Sequence, residues 1–189
     1  METKVVLIAS RYFLQNCDYC DFSPREALEF FMDNISLYTH IAQHDVKIYN
    51  LSSKIFTDCL EEGNYEKLPV TEEKKALVLK YIRKIIEIMR STDPIKKKEF
   101  HYSRVIKQWY YKAKGMEPQI IDVARRFLVQ VPIDFYLLCE SHCIKPVDVL
   151  KYYMSKVNVK VGFNSLPEKS LTATSFFMIL KTFKEAIAA

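Results

Sequence analysis

Three glycines in 189 residues leave little room for a fold built on many tight turns or for a glycine-rich phosphate cradle. No P-loop, GxGxxG or GxSxG motif occurs, so nucleotide-binding and nucleophile-elbow chemistries have no anchor in this chain. Seven prolines and a single tryptophan are equally sparse punctuation. No apolar run approaches the roughly 20 residues that span a bilayer, and no membrane partner is expected. The apolar stretch Val5 to Ala9 is cut short by Arg11, too early for a secretory leader. The five cysteines are odd in number and scattered, which speaks against a disulfide framework and for a reducing, cytoplasmic setting.

What is present is core material. Hydrophobic residues make up 49% of the chain and aromatics 13%, enough to pack one domain over 1–189. With so few breakers, the expected fold is mainly α: a compact multi-helix bundle carrying at most one short β element. Ser23-Pro24 with Glu26 in the first turn opens one helix, expected to run to about His44. A brief extended piece is read at Val46–Ile48, then a helix from Leu51 to Glu62 opened by Ser52 or Ser53 and ended by Gly63. Thr71-Glu72-Glu73 starts a long amphipathic helix, Asp93-Pro94 breaks it, and a second helix covers about Ile95 to Lys114. Further helices are read from Glu117 to Val131, from Pro132 toward Cys143, from Lys145-Pro146 to Val157, and from Thr172 to about Ala186. Val157 to Phe163 alternates with period two and reads as a short strand, while Val5 to Ala9 suits either strand or helix.

One stretch returns. Residues 12–36 align without a gap on 134–158, with Phe13/Phe135, Cys17/Cys139, Pro24/Pro146, Leu28/Leu150 and Met32/Met154 in register. This predicts two pseudo-equivalent helix–turn–helix units, near the two ends of the chain. Their turns raise a metal question. Cys17-x-x-Cys20 lies against Cys139-x-x-His142, a Cys₃His set that zinc accepts if the two turns face each other. The alternative is that Cys17 and Cys139 are small buried hydrophobes where helices meet, with Cys59 and Cys143 structural and no cofactor bound. As a DNA-reading unit the first copy is disfavoured by Glu26, Glu29 and Asp33 on its second helix. His40 and His44 share a helix face, but the glutamate of an HExxH zinc helix is missing.

Charge is the other asymmetry. Thr71 to Lys114 holds 13 Lys/Arg against five Asp/Glu, a local +8 in a chain of formal charge +5. On a helical wheel Arg104, Lys107, Tyr111 and Lys114 gather opposite the apolar seam, preceded by Lys96, Lys97 and Lys98. Such a stripe suits phosphates and base stacking, and also suits an ordinary solvated face. The preferred expectation is a small cytosolic, non-catalytic binding or regulatory domain acting through helical surfaces on a protein partner or as a homodimer. The alternative is a nucleic-acid-binding regulator using the basic helices 71–114.

Overall fold

A computed structural model describes residues 5–42, 46–114, 119–123 and 127–188. Among them are nine α-helices and a three-stranded sheet. The mainly α class and the short β element agree with the composition. Several boundaries do not.

The sheet has the order β1 (Val5–Leu7), β2 (Ile120–Val123), β3 (Phe127–Gln130). β1 runs parallel to β2 and β3 antiparallel to it. The helix expected over 117–131 is thus a correction: its second part is a pair of strands, and 117–118 lie outside the described residues. Within 120–130 the side chains alternate, with Ile121, Val123 and Val129 buried and Leu128 exposed. β-branched residues at period two pair well on a pleated face, and each run is too short to show helical periodicity.

Helix α1 (Arg11–Tyr19) is capped by Ser10, whose hydroxyl accepts from the Phe13 N–H at 3.1 Å. Helix α2 (Pro24–Asp33) opens with a capping box: Glu26 N–H donates to Ser23 Oγ, and Ser23 N–H to the Glu26 carboxylate. It ends at Asn34, ten residues before the expected limit near His44. Asn34 Nδ2 turns back to the Phe30 carbonyl at 2.8 Å, and Ser36 with Thr39 caps a new short helix, α3 (Leu37–Ala42). The end expected at His44 lies outside the described residues.

Helix α4 (Lys47–Glu62) starts four residues before Leu51, so only Val46 of the expected extended piece is extended. Ser52 is no cap. Its buried hydroxyl donates to the Asn34 carbonyl at 2.6 Å, tying α4 to the end of α2. Gly63 closes α4 at φ 65°, a left-handed conformation that glycine enters without a Cβ penalty. Then follow α5 (Glu72–Arg90), capped by Thr71, and α6 (Ile95–Lys114). Helices α7 (Ile133–Ser141), α8 (Pro146–Lys156) and α9 (Glu168–Ala188) complete the chain.

No strand forms at 157–163. Buried Asn16 takes the hydrogen bonds a neighbouring strand would have made: its Nδ2 donates to Val157 O at 3.0 Å and its Oδ1 accepts from Val159 N–H at 3.2 Å. The Asn158 N–H donates to Thr174 Oγ1. Only a 3₁₀ turn at Phe163–Ser165 follows.

The two helix–turn–helix stretches share a layout at the offset of 122 residues. Helix α1 starts at Arg11 and α7 at Ile133; α2 starts at Pro24 and α8 at Pro146. Phe22 N–H donates to Cys17 O, and Ile144 N–H to Cys139 O. Two non-glycine residues among those described have left-handed φ: Asp21 at 58° and Cys143 at 57°, the same place in each turn. In the sheet, Val6 pairs with Asp122 and Asp122 with Leu128, so equivalent residues flank one central position. Phe31 stacks on its counterpart Tyr153, centroids 4.4 Å apart and planes 11° from parallel. The side contacts match as well, with Phe13–Tyr153 at 6.2 Å and Phe31–Phe135 at 6.0 Å. These correspondences describe local geometry around a twofold-like centre; duplication of the sequence stays a proposal.

Candidate functional site

The shared layout separates the four zinc candidates. Between the two units packs an aromatic cluster of Phe13, Phe31, Phe135 and Tyr153. Cys17 is fully buried, and burial pushes its thiol up to about 12. Cys20 Sγ rests 3.9 Å from Met178 Sδ. Cys139 is also fully buried, its thiol raised by burial first and by nearby Cys59 second. His142 turns its Nδ1 to the Leu138 carbonyl at 3.0 Å and its ring to Phe56 and His40. Thiolate is the form that binds metal, and burial favours the thiol. Among the described residues no three His, Cys, Asp or Glu side chains are grouped to hold a metal ion. The five cysteines are free. Of the histidine pair, His40 packs against Phe56, with burial lowering its pKa, and His44 lies outside the described residues.

A buried polar contact holds the root of α6. The Tyr102 hydroxyl donates to Asp134 Oδ1 and accepts from the Tyr38 N–H at 3.0 Å; the Leu37 N–H also donates to Asp134 Oδ1, at 3.1 Å. Burial raises the Asp134 carboxyl to about 6, against the lowering effect of both donors. In the unfolded chain the same group titrates near 3.8. Between those values the folded state keeps a proton that the unfolded chain has lost, so stability falls as pH rises through the window. The loss is at most about 3 kcal/mol, complete above the folded value. Asp134→Asn should match the parent near pH 4 and be the more stable of the two at pH 8 in urea unfolding. A difference between the two proteins that stays constant over that range would show that Asp134 does not titrate this way.

Helices α5 and α6 form an antiparallel hairpin. α5 packs chiefly on α6, and α6 on α5 and α7. The seam is made by Tyr81, Ile85, Tyr102, Ile106 and Trp109, all buried, with Tyr81 and Trp109 stacked at 5.5 Å and 5°. Every other described side chain on the hairpin is exposed or half-exposed, except Tyr110, which packs edge-on against Tyr136 of α7.

The seven sequence candidates divide into two groups. Lys97 pairs with Asp93 at 2.7 Å, and half-buried Lys98 donates to the Met89 carbonyl at 3.0 Å, capping the end of α5. Those two lysines hold the hairpin corner. Lys96, Arg104 and Lys107 are exposed and make no ion pair; Tyr111 is 52% exposed; the Lys114 side chain lies outside the described residues. Sequence reasoning missed the rest of the set. Lys80, Arg83 and Arg90 on α5 and Lys112 on α6 are also exposed and have no ion-pair partner among the described residues, and half-buried Lys84 sits 5.5 Å from the Tyr81 ring centroid. Outside the hairpin most of the described lysines are paired, for example Lys54–Glu168, Lys145–Glu66 and Lys156–Glu62. An open groove of about 460 Å³ between α5 and α6 is lined by Lys84, His101 and Arg104 together with Glu87 and Asp93. No protein-family model, curated protein or solved structure matches this chain. No helix among the described residues is long and apolar enough to cross a membrane.

Proposed function

We propose that this protein is a non-catalytic domain that binds nucleic acid through the α5–α6 hairpin. The observation that carries the reading is the set of eight cationic side chains on two adjacent helices with no ion-pair partner among the described residues, leaving aside Lys98 on the Met89 carbonyl: Lys80, Arg83, Lys84 and Arg90 with Lys96, Arg104, Lys107 and Lys112. Of the hairpin's carboxylates, only Glu73, Glu87 and Glu99 also stand unpaired. Unneutralised cations on two adjacent helices repel each other, and a polyanion that collects them relieves that repulsion while releasing its own counterions. The broader reading, a binding or regulatory domain that works through helical surfaces, contains this one.

A salt-dependent binding titration with mixed DNA and RNA tests it. Affinity should fall with a log–log salt slope of roughly −0.7 to −0.9 per phosphate neutralised. Arg104→Glu combined with Lys107→Glu should weaken binding at least about tenfold, since each reversal replaces an attraction with a repulsion. No binding at low salt, or an unaffected double variant, rejects the proposal.

A further inference from the structure

Basic charge alone does not say which form of nucleic acid the hairpin takes; the outward face of α6 does. Lys96, Phe100, Arg104, Lys107 and Tyr111 follow one another at spacings of four, four, three and four residues. At 100° per residue they stay within an arc of about 80°, and they extend over about 22 Å of helix. That arc lies opposite the buried seam of Tyr102, Ile106 and Trp109. All five are exposed; the two rings are exposed to 65% at Phe100 and 52% at Tyr111. No carboxylate shares the arc, Glu99 being about 100° round the helix from its centre. Among the described residues their ring contacts are local: Phe100 meets the adjacent His101, at 5.8 Å, and Tyr111 the adjacent Tyr110, at 6.5 Å.

We infer that α6 is a stacking platform for single-stranded nucleic acid, with Phe100 and Tyr111 each taking a base and Lys96, Arg104 and Lys107 following the phosphates between and beside them. This rests on the nucleic-acid reading above and narrows it. Bases of a duplex have both faces covered by their neighbours, so two rings projecting from a helix find nothing to stack on there. Unpaired bases present free faces, and every base has one, so the platform is tolerant of sequence. The apolar character of Phe100 is then used on contact with the strand instead of in the core. DNA and RNA single strands share these groups, and the platform does not distinguish them.

The test is a fluorescence-anisotropy titration of the whole chain with labelled oligothymidine, oligouridine and a mixed-sequence duplex of equal length. Single strands of both sugars should bind more tightly than the duplex. Phe100→Ala and Tyr111→Ala should each weaken single-strand binding by about tenfold, with the salt slope unchanged. Phe100→Trp and Tyr111→Phe should retain it. Thermal midpoints of the alanine variants should equal the parent's, so that lost binding cannot reflect lost folding. A duplex preferred at equal length overturns the inference, and so do alanine variants that bind like the parent. If those variants bind normally while the Arg104/Lys107 reversal weakens binding, the stacking platform falls and the basic hairpin stands. If neither set changes binding, or anionic vesicles are bound in preference to all three oligonucleotides, both fall.

Discussion

Phe31→Ala should lower the unfolding free energy by about 3–5 kcal/mol, far beyond the usual effect of a surface substitution. Phe31 is fully buried and meets three rings: Tyr153 in a near-parallel stack, with Phe135 and Phe176 edge-on at 6.0 and 5.6 Å. Truncation removes the transfer energy of the ring and leaves a cavity that four helices, α2, α7, α8 and α9, would have to collapse together to fill. Against a total stability of the order of 5–15 kcal/mol, that makes the variant marginal. Phe31→Leu keeps most of the volume and should cost about 1–2 kcal/mol. A double-mutant cycle with Tyr153→Ala isolates the stack, expected at about 1 kcal/mol beyond area burial. Urea unfolding gives both numbers. A Phe31→Ala variant within about 1 kcal/mol of the parent would mean the core is centred elsewhere.

The same cluster shows how much of the fold the sequence held. The constant 122-residue spacing between Cys17 and Cys139, with the Pro, Leu and Met that follow, led to two helix–turn–helix stretches whose helix starts and turns agree in the structure. Local signals read well where chemistry is local. Ser23-Pro24, Thr71, Gly63 and Asp93-Pro94 mark element ends because caps and breakers act within one turn. They read badly where long-range pairing decides. Nothing local tells Ile120 to Gln130 that β1, more than a hundred residues earlier, will supply a parallel partner. Nor does the alternation at Val157 reveal that Asn16, 141 residues away in sequence, will take up its backbone groups.

The candidate surface was half legible for a related reason. A helical wheel places Arg104, Lys107 and Tyr111 together because one helix is enough to do so. Whether a lysine is free depends on the partners within its reach, on its own turn or across the hairpin. Lys97 and Lys98 belong to the same basic run as Lys96, yet Asp93 and the Met89 carbonyl engage them. Extending the wheel back one further turn would have added Phe100 to the stripe. The four-residue spacing from Lys96 through Phe100 to Arg104 was there to read.

Trp109→Ala should also cost about 3–5 kcal/mol, but its effect should fall first on the hairpin. Trp109 is fully buried at the hairpin root, stacked on Tyr81 of α5, in a region also bordered by Ala113 and by Lys74 and Glu140, which form a 2.9 Å ion pair. α5 has little else to rest on. Removing the indole takes away the contact that fixes α5 to α6, while the core around Phe31, held by α2, α7, α8 and α9, keeps its own rings. Amides of α5 and α6 should therefore lose hydrogen-exchange protection before those of α7 and α8, and urea unfolding should cease to be a single step. The indole nitrogen supplies a control. It is buried without a hydrogen-bond partner among the described residues, and an orphan donor costs about 1–3 kcal/mol. Trp109→Phe keeps an aromatic ring on Tyr81 and removes that donor, so its net cost should be small, about 1 kcal/mol or less. Uniform loss of protection in Trp109→Ala would show that the hairpin and the core unfold as one unit. If nucleic acid binds the hairpin, Trp109→Phe should bind as the parent does. Trp109→Ala should bind less tightly, because part of the binding energy then goes into re-forming the surface the parent holds ready.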